Sequence, residues 1–342
     1  MIKIAINGFG RIGRLAFRRL CENDKFEVVA INDLTDAEQL AYLLKYDSIH
    51  KTWKKNDIDY DENENILIYK DKKIPVLCQS DIHNLKWKNY NVDIVLECTG
   101  RFKNKSDAQI HIDNGAKSVI ISAPSDKDVP TYVYGVNSDK LTADQKIISG
   151  ASCTTNCLAI VCKVLCDNFT INAGYMTTIH AYTNDQTTLD LVKKDLRRGR
   201  AAPSNIIPTT TGAAKAINLV IPELNGKLKG EAIRVPVNDG SLVVLTLIIN
   251  KKTTVQEINK IMKNASETYL KNVLDYNEDE IVSSDIIGNS SGSIFDATQT
   301  TVFDTPEGIQ IIKITAWYDN EFGYTCQFIR LVEKVAEILN IK

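Results

Sequence analysis

Residues 2–14 read IKIAINGFGRIGR, and the order of apolar and glycine residues in them sets the expectation for the first half of the chain. Ile2–Ile6 predicts a buried strand, and the residues from Arg11 onward have the apolar spacing of a helix. The glycines between and within these elements form a G-x-G-x-x-G pattern: Gly8, Gly10 and Gly13. The first permits a tight turn, the second lets a pyrophosphate approach the backbone, and the third permits close helix–strand packing. The pattern predicts a dinucleotide site, although a plain glycine turn is the simpler alternative.

Short apolar runs alternate with helical patterns up to about residue 150, which predicts βαβ units and a parallel sheet. Val28–Ile31, Ile94–Glu97 and Val119–Ser122 have the nearly continuous Val/Ile content of strands that are covered on both faces. Asp33 follows the first of these runs, 20 residues after Gly13. Its carboxylate is placed to accept hydrogen bonds from an adenosine ribose and to repel a 2′-phosphate. We therefore expect NAD rather than NADP, with a solvated residue at the strand end as the alternative.

The pattern changes after Gly150. A helix is predicted over Ser152–Cys166, and long strands follow without helices between them, which favours an antiparallel sheet. The predicted strands are Asn172–His180, Glu231–Val237, Leu242–Asn250 and Gln310–Trp317. The sequence thus predicts an α/β chain with a Rossmann-type parallel-sheet domain over residues 1–151. An α+β catalytic domain with a mainly antiparallel sheet is expected over 152–320.

Composition limits the possible partners. The 342 residues include 41 basic and 43 acidic side chains, so the net charge of −2 gives no reason to expect nucleic acid or an anionic membrane. No apolar run approaches the roughly 20 residues that a membrane span requires. The start of the chain lacks the pattern of a secretion signal. Eight cysteines without a CxxC pair, together with four histidines, favour free thiols in the cytoplasm over disulfides or a metal site.

One cysteine stands where a helix is expected to begin. Residues 149–157 read SGASCTTNC, and a thiol at Cys153 would feel the helix dipole, which favours the thiolate and lowers the pKa. His180, at the end of an apolar strand, is the best candidate for a base. Cys157, one helical turn deeper, is predicted to be a packed structural thiol. Packing is also the alternative interpretation of Cys153 taken alone, since buried cysteines are common. His50, His83 and His111 lie in polar surroundings and are expected at the surface.

At this point the chain resembles the glyceraldehyde-3-phosphate dehydrogenase family, in motifs that run in order over nearly its whole length. The motifs are 7–14 NGFGRIGR, 151–157 ASCTTNC, 180–183 HAYT, 210–215 TTGAAK, 234–236 RVP and 317–321 WYDNE. The resemblance implies an oxidoreductase of glycolysis and gluconeogenesis that converts glyceraldehyde 3-phosphate, NAD and inorganic phosphate to 1,3-bisphosphoglycerate. It also implies a cytoplasmic homotetramer, and a C-terminal helix at about 321–342 that completes the NAD-binding domain.

The resemblance further implies roles for single residues. Cys153 would attack the aldehyde to give a thiohemiacetal and then a thioester, with His180 as the base. Thr183 and Arg234 would bind the phosphate of the substrate. The attacking phosphate would be bound by Ser152, Thr154, Arg198, Thr211 and Gly212. The expected cofactor contacts beyond the glycines are Arg11, Ile12, Asp33, Ser122 and Asn320.

Two features leave alternatives open. The arginine-bearing residues 196–200 have the composition of a solvated charged segment, and the Asp-Asn-Glu sequence that contains Asn320 has that of a plain turn.

The chain also departs from the family pattern at two positions near the expected cofactor site. Ser80 stands where the family often carries an arginine near the adenine, and Val192 where NAD-specific bacterial members often carry a proline. An erythrose-4-phosphate dehydrogenase, which hydrolyses its thioester, and a non-catalytic nucleotide-binding protein are the rival functions.

Overall fold

The computed structural model describes residues 1–340, which group into two compact units. The first unit comprises Met1–Tyr132, Lys140–Ala151 and the chain from Phe328 onward. The second unit comprises Val133–Asp139 and Ser152–Gln327. The predicted C-terminal helix extends to residue 342, and its last two positions lie outside the described residues.

The first unit contains a parallel sheet with helices in its connections. Its elements are β1 (Ile2–Asn7), α1 (Arg11–Leu20), β2 (Phe26–Asn32), α2 (Ala37–Lys45), β3 (Ile58–Asp61), β4 (Ile66–Tyr69), β5 (Lys72–Pro75), β6 (Ile94–Glu97), α3 (Lys105–Asp113), β7 (Ser118–Ile121) and β8 (Ile147–Ser149). The five parallel strands lie in the order β2-β1-β6-β7-β8. Because all five run in the same direction, their carboxyl ends, where ligands bind in such sheets, share one edge. The predicted parallel sheet is confirmed.

The polar, irregular sequence of residues 54–73 predicts an insertion at a sheet edge, with short strands around Ile66–Tyr69, and the structure has a small sheet there. β3, β4 and β5 pair antiparallel as a separate three-stranded sheet. Phe17 of α1 contacts the rings of Trp53 and Tyr69 edge-on, and these two rings stack on each other. The flanking strands were missed because they have four residues each and are largely polar.

The second unit is built on an eight-stranded mixed sheet. Its elements are α4 (Cys153–Asn168), β9 (Ile171–Ala181), β10 (Ile207–Thr209), α5 (Ala213–Val220), β11 (Leu228–Val235), β12 (Ser241–Ile249), α6 (Val255–Glu267), β13 (Leu274–Asn277), β14 (Ser293–Asp296), β15 (Thr301–Asp304), β16 (Gln310–Tyr318) and the start of α7 (Phe322–Ile338). The main strand order is β10-β11-β9-β12-β16-β14-β13, and β15 also pairs with β16.

Most neighbouring strands of this sheet are antiparallel, as expected, but β13 runs parallel to β14, and β11 runs parallel to β9. The long segment after His180, β10 and α5 lie between these two strands in the chain. They provide the crossover that a parallel pair requires. The helix α4 is buried over most of its length and packs against β9, β12, β14 and β16. Within residues 1–340, no helix combines the length and apolar character of a membrane-spanning segment.

Candidate active site

The glycine loop of the first unit has the geometry that its sequence predicts. Gly8 adopts a φ of +93°, and a Cβ added there would lie 2.6 Å from the backbone nitrogen of Thr99. A Cβ on Gly13 would lie 2.1 Å from the carbonyl oxygen of Gly8, so only glycine fits at either position. A Cβ on Gly10 would meet nothing within 4 Å, and no side chain caps α1 in the described structure. The start of α1 is therefore open to an anion such as a pyrophosphate.

Beside this loop lies a cavity of about 240 Å³, lined in part by Gly10, Asp33 and Leu34. The carboxylate of Asp33 accepts hydrogen bonds from the backbone N–H groups of Phe9, at 2.6 Å, and Leu34, at 2.7 Å. These bonds hold the carboxylate at the carboxyl end of β2, facing the loop. Ser80 also lines the cavity. The size and lining suit the adenosine half of NAD.

Arg11 and Ser122, which were predicted to contact the cofactor, also contact protein groups in the first unit. The guanidinium of Arg11 forms an ion pair with Asp47, so the side chain of Arg11 points to a protein partner. Its cation, with two backbone N–H bonds, holds the pKa of Asp47 at about 2 against the opposing effect of burial. Ser122 follows β7, and its N–H donates to the carbonyl oxygen of Glu97 at 2.9 Å.

In the second unit, the candidate nucleophile lies at the first residue of α4. Ala151 adopts a left-handed φ of +59°, which turns the chain sharply before the helix. Ser152 caps the helix, because its Oγ accepts the N–H of Thr155 at 3.1 Å. Cys153 is partly exposed, whereas most residues that follow it in α4 are buried. The turn and the cap thus place this thiol at the N-terminus of the helix.

Strand register brings a histidine and an arginine to this thiol. Nε2 of His180 lies 3.5 Å from Sγ of Cys153. Arg234 on β11 pairs in register with His180 on β9, and its Nη1 lies 2.8 Å from Nδ1 of His180. The same Nη1 donates to the carbonyl oxygen of Ala181, also at 2.8 Å. The parallel pairing of β9 and β11 therefore builds a cluster of thiol, imidazole and guanidinium.

Nδ1 of His180 lies between an acceptor and a donor. It is 2.6 Å from the carbonyl oxygen of Ala181, which can only accept, and 2.8 Å from Nη1 of Arg234, which can only donate. The tautomer with its proton on Nδ1 satisfies this carbonyl oxygen, to which Nη1 of Arg234 also donates, and it leaves Nε2 unprotonated toward the thiol. Burial and the neighbouring Arg234 cation lower the pKa of His180 to about 3, although the bond to Ala181 opposes them. The imidazole is therefore neutral, with Nε2 directed at Sγ of Cys153.

Cys153 feels opposing effects. Burial raises the pKa of its thiol above the ordinary value, while the charge of Arg234 and hydrogen bonds from Thr154 lower it. The net direction is opposite to the lowering that the helix dipole alone predicted, because the local environment is drier than the sequence indicated. Arg234 is the largest of the influences that favour the thiolate.

Tyr318, for which the sequence predicted no role, contacts both Thr154 and His180 on one side of this cluster. Its hydroxyl lies 2.9 Å from Oγ1 of Thr154 and 2.8 Å from Oγ1 of Thr178, and its ring meets that of His180 edge-on. The side chain is almost completely buried, and burial raises the pKa of its hydroxyl well above the ordinary value. The quoted motif 317–321 contained this residue, but only the structure reveals its contacts. The hydroxyl of Thr154 is thus engaged with Tyr318.

A second residue that was missed, Ser241, orients Asn320. The N–H of Ala181 donates to Oγ of Ser241 at 3.0 Å, and that hydroxyl donates to Oδ1 of Asn320 at 2.6 Å. The amide of Asn320 must then direct its Nδ2 group elsewhere, and this group has no hydrogen-bond acceptor within residues 1–340. Asn320 is only 5% exposed. A nearly buried amide donor without a protein partner fits a carboxamide oxygen such as that of nicotinamide.

The predicted phosphate ligands also lie in the second unit. Thr183 contacts Gln186, with its N–H donating to Oε1 at 3.0 Å. Arg198 forms ion pairs with Asp185 and Asp195, and its Nε donates to Oγ1 of Thr209 at 2.9 Å. Its Nη2 donates to the carbonyl oxygen of Thr210 at 3.2 Å. The guanidinium thus lies against the strand that leads into the next two predicted ligands, Thr211 and Gly212.

The last of these, Gly212, stands at the N-cap of α5, where a Cβ would meet nothing within 4 Å. Oγ1 of Thr211 accepts the N–H of Ala213 at 3.2 Å, one residue inside the helix. Backbone N–H groups at such a helix start, next to a hydroxyl, are good ligands for an anion.

The sequence also predicted that His83 and His111 are exposed and that Cys157 is buried. His83 is exposed, but His111 is completely buried, so the prediction that it lies at the surface is wrong. It was misplaced because α3 has a weakly amphipathic sequence, and a histidine among polar neighbours gives no sign of burial. Cys157 is buried as predicted, with Sγ 3.3 Å from Oγ of Ser293, and burial raises its pKa to about 12.

Comparison with known proteins agrees with these features. Residues 2–105 match the family model of the glyceraldehyde 3-phosphate dehydrogenase NAD binding domain, and residues 152–320 match that of the C-terminal domain. The chain is 52% identical over 340 residues to a glyceraldehyde-3-phosphate dehydrogenase of Clostridium pasteurianum and 51% identical to one of Clostridium acetobutylicum. Each match covers 99% of both chains. The chain therefore belongs to the glyceraldehyde-3-phosphate dehydrogenase family and is an NAD-dependent dehydrogenase.

Proposed function

We propose that the chain oxidises glyceraldehyde 3-phosphate to 1,3-bisphosphoglycerate with NAD and inorganic phosphate, through an acyl intermediate on Cys153. The observation that carries this proposal is the 3.5 Å approach of Nε2 of His180 to Sγ of Cys153. A nucleophile within reach of an oriented base is the arrangement that covalent catalysis requires.

In the proposed reaction His180 accepts the thiol proton, and the sulfur of Cys153 adds to the aldehyde carbon. The resulting thiohemiacetal oxygen lies near the N-terminus of α4, whose backbone N–H groups stabilise negative charge there. His180 returns its proton to this oxygen, which becomes the hydroxyl of the thiohemiacetal, and accepts it again as the hydride leaves. NAD would supply the acceptor for the hydride that leaves the same carbon, so that a thioester remains on Cys153. Inorganic phosphate attacks the thioester, releases the acyl phosphate and regenerates the thiol.

Residues of the second unit would bind the two phosphate groups. Arg234 and Thr183 bind the phosphate of the substrate, since Arg234 is a largely buried cation that an anion would complement. Ser152, Thr154, Arg198, Thr211 and Gly212 bind the attacking phosphate. Asn320 holds the nicotinamide carboxamide through Nδ2.

The first unit would bind the rest of the cofactor. Gly8, Gly10, Gly13, Arg11 and Ile12 hold the pyrophosphate through the loop and the start of α1. Asp33 binds the adenosine ribose, and Ser122 lies near the cofactor. In this proposal residues 1–151 with the C-terminal helix form the NAD-binding domain, and 152–320 form the catalytic domain.

The test is the production of NADH with and without phosphate. With glyceraldehyde 3-phosphate, NAD and phosphate, we expect continuous turnover. Without phosphate, the thioester should accumulate and NADH production should stop after a burst of about one equivalent per active site. Equal turnover without phosphate would instead indicate hydrolysis of the thioester, and preference for erythrose 4-phosphate would change the substrate.

We also propose that the chain forms a homotetramer. Ile233, Ile179, Leu242 and Trp317 lie side by side on four strands of the second unit, and all are only half-buried. Leu189, Leu191, Val192 and Leu196, in the segment after His180, are 65–97% exposed. Two apolar surfaces of this kind indicate two interfaces, which dihedral symmetry would satisfy with identical copies. Sedimentation should give four times the mass of the chain, and a monomer would contradict the proposal.

The proposed location is the cytoplasm. All eight cysteines lie among the described residues, and each is a free thiol. Unpaired thiols of this number are typical of a reducing compartment. Fractionation of cells that express the chain, followed by activity assays of each fraction, would test this location.

A further inference from the structure

The completely buried His111 belongs to a chain of polar side chains that the proposed reaction does not use. Nε1–H of Trp87 donates to Nδ1 of His111 at 3.0 Å, and Nε2 of His111 lies 3.2 Å from Oε2 of Glu97. All three side chains are at most 1% exposed. An indole N–H can only donate, so Nδ1 must accept, and the ring proton of the neutral histidine resides on Nε2. Trp87 thereby fixes the tautomer in which His111 donates to Glu97.

Glu97 receives donors at both of its carboxylate oxygens. Oε2 accepts Nδ2–H of Asn7 at 2.6 Å as well as the histidine proton. Oε1 accepts the backbone N–H of Thr99 at 2.8 Å and also the hydroxyl of Thr99. Four donors thus converge on the two oxygens of one side chain, and each of these contacts uses Glu97 as an acceptor.

The chain continues across the carboxyl ends of the parallel strands. Asn7 at the end of β1 pairs in register with Asn32 at the end of β2 and with Glu97 at the end of β6. Nδ2 of Asn32 donates to Oδ1 of Asn7 at 2.8 Å and to the carbonyl oxygen of Gln79 at 3.0 Å. Oδ1 of Asn32 accepts the N–H of Gln79, also at 2.8 Å. Asn32 therefore clamps the backbone of Gln79 from both sides.

From Glu97 the network reaches the cavity beside the glycine loop by two branches, one through Asn7 and one through Thr99. Asn7, Asn32, Gln79 and Thr99 all line it. The turn at Thr99 also lies directly against the loop, since a Cβ on Gly8 would approach the Thr99 nitrogen to 2.6 Å. A change in the direction of the Glu97 carboxylate would shift this turn and the Asn32–Gln79 wall together, because packed polar networks transmit such shifts.

We propose that His111, acting through Glu97, is a positioning residue that shapes the pocket for the adenosine half of NAD. Trp87 sets the tautomer, His111 orients Glu97, and Glu97 holds the Thr99 turn and Asn7 against the glycine loop. This role rests on the proposed assignment of the Asp33 cavity to adenosine. It does not depend on the chemistry at Cys153.

Three substitutions separate positioning from simple stability. His111→Leu removes the donor to Glu97, and His111→Gln restores an N–H near the position of Nε2. Glu97→Gln keeps the shape of the side chain but replaces one carboxylate oxygen by an NH2 group. This group then faces the donors that the oxygen accepted. Val119→Ala, in the buried β7, is the matched control, because it creates a cavity in the apolar core that Trp87 shares but removes none of the hydrogen bonds of the network.

The experiment measures dissociation constants of the full-length variants for NAD and for ADP-ribose, which lacks the nicotinamide, together with KM, kcat and unfolding temperature. His111→Leu and Glu97→Gln should raise both dissociation constants by about tenfold, and KM for NAD should rise more than kcat falls. His111→Gln should recover most of the affinity. Val119→Ala should lower the unfolding temperature without changing either constant.

The proposal is overturned if His111→Leu and Glu97→Gln lower the unfolding temperature as Val119→Ala does and bind both ligands like the wild type. If either variant fails to fold, Trp87→Phe keeps the ring but releases the tautomer, and it should weaken ADP-ribose binding by about twofold; unchanged binding would overturn the proposal. Failure of the proposed function looks different. The wild type would then bind ADP-ribose with the predicted dependence on His111 but would not oxidise glyceraldehyde 3-phosphate.

Discussion

The catalytic cluster and the segment that follows it are neighbours in the chain, yet they are held in place by different means. His180 and Arg234 are aligned by strand register, and Cys153 is placed by a capped helix. Residues 182–206 contain no regular structure beyond the short 3-10 turn Ala202–Ser204 and an isolated β-bridge between Thr187 and Ala201. Ion pairs at the surface support them, such as that of Arg200 with Asp190, both more than half exposed. Strand register and helix geometry fix the side-chain positions of the cluster, whereas contacts at the surface contribute most to the position of the segment. Substitutions in the cluster should therefore change the chemistry, and those in the segment should change binding and assembly.

The largest effect is expected for Cys153→Ser, because a serine hydroxyl is a much weaker nucleophile than a thiol beside the same base. We expect kcat to fall by at least about 10⁴-fold, while NAD still binds. The measurement is steady-state NADH production together with a binding titration. Cys157→Ser is the matched control, since this thiol lies one turn deeper and already contacts the hydroxyl of Ser293. Comparable losses in both variants would show that the helix, rather than the nucleophile, had been disturbed.

His180→Asn should have the next largest effect. The shorter amide can still donate to the carbonyl oxygen of Ala181, but nothing remains at the position of Nε2 to accept the thiol proton. Loss of a general base typically costs about 10² to 10⁴-fold in rate, so the NADH burst without phosphate should slow by that factor. Alkylation of Cys153 by iodoacetamide at neutral pH should slow as well. A normal burst rate would contradict the role of His180 as base.

The difference between the two regions also explains what the sequence could predict. The glycine loop and Cys153 were found because each depends on residues within about one helical turn, where a motif contains all the information. Tyr318 and Ser241 were missed because they face each other only through the pairing of β12 with β16. The parallel pairing of β9 with β11 was missed for the same reason, although it brings Arg234 to His180. Those contacts join residues that are more than fifty positions apart, and no local pattern encodes them.

Arg234→Leu should separate substrate binding from pH dependence. Removal of a largely buried guanidinium should raise KM for glyceraldehyde 3-phosphate by about 10 to 100-fold, the usual range for a charge-assisted hydrogen bond. Because its cation lowers the pKa values of both Cys153 and His180, its loss should raise both. The thiolate then forms at higher pH, and the pH profile of alkylation should move upward by about one unit.

Arg234→Lys is the control for this shift, because it retains the positive charge but not the fork of the guanidinium. We expect it to keep the pH profile close to that of the wild type while KM still rises, since a lysine cannot reproduce the paired contacts. An upward pH shift in the lysine variant, or none in the leucine variant, would mean that the charge of Arg234 does not act on Cys153.

The smallest effect is expected in the exposed segment. Arg198→Ala removes a cation that is 25% exposed and is paired with Asp185 and Asp195. Solvent and these two carboxylates already weaken its attraction for an incoming anion. KM for phosphate should rise by roughly tenfold or less, and the NADH burst, which precedes phosphate attack, should keep its rate. Arg200→Ala is the matched control, because Arg200 pairs with Asp190 at the surface and has no proposed phosphate contact. If Arg198→Ala slowed the burst as Arg234→Leu does, the segment would be part of the oxidation step. The division between a register-held chemical centre and a surface-held phosphate site would then fail.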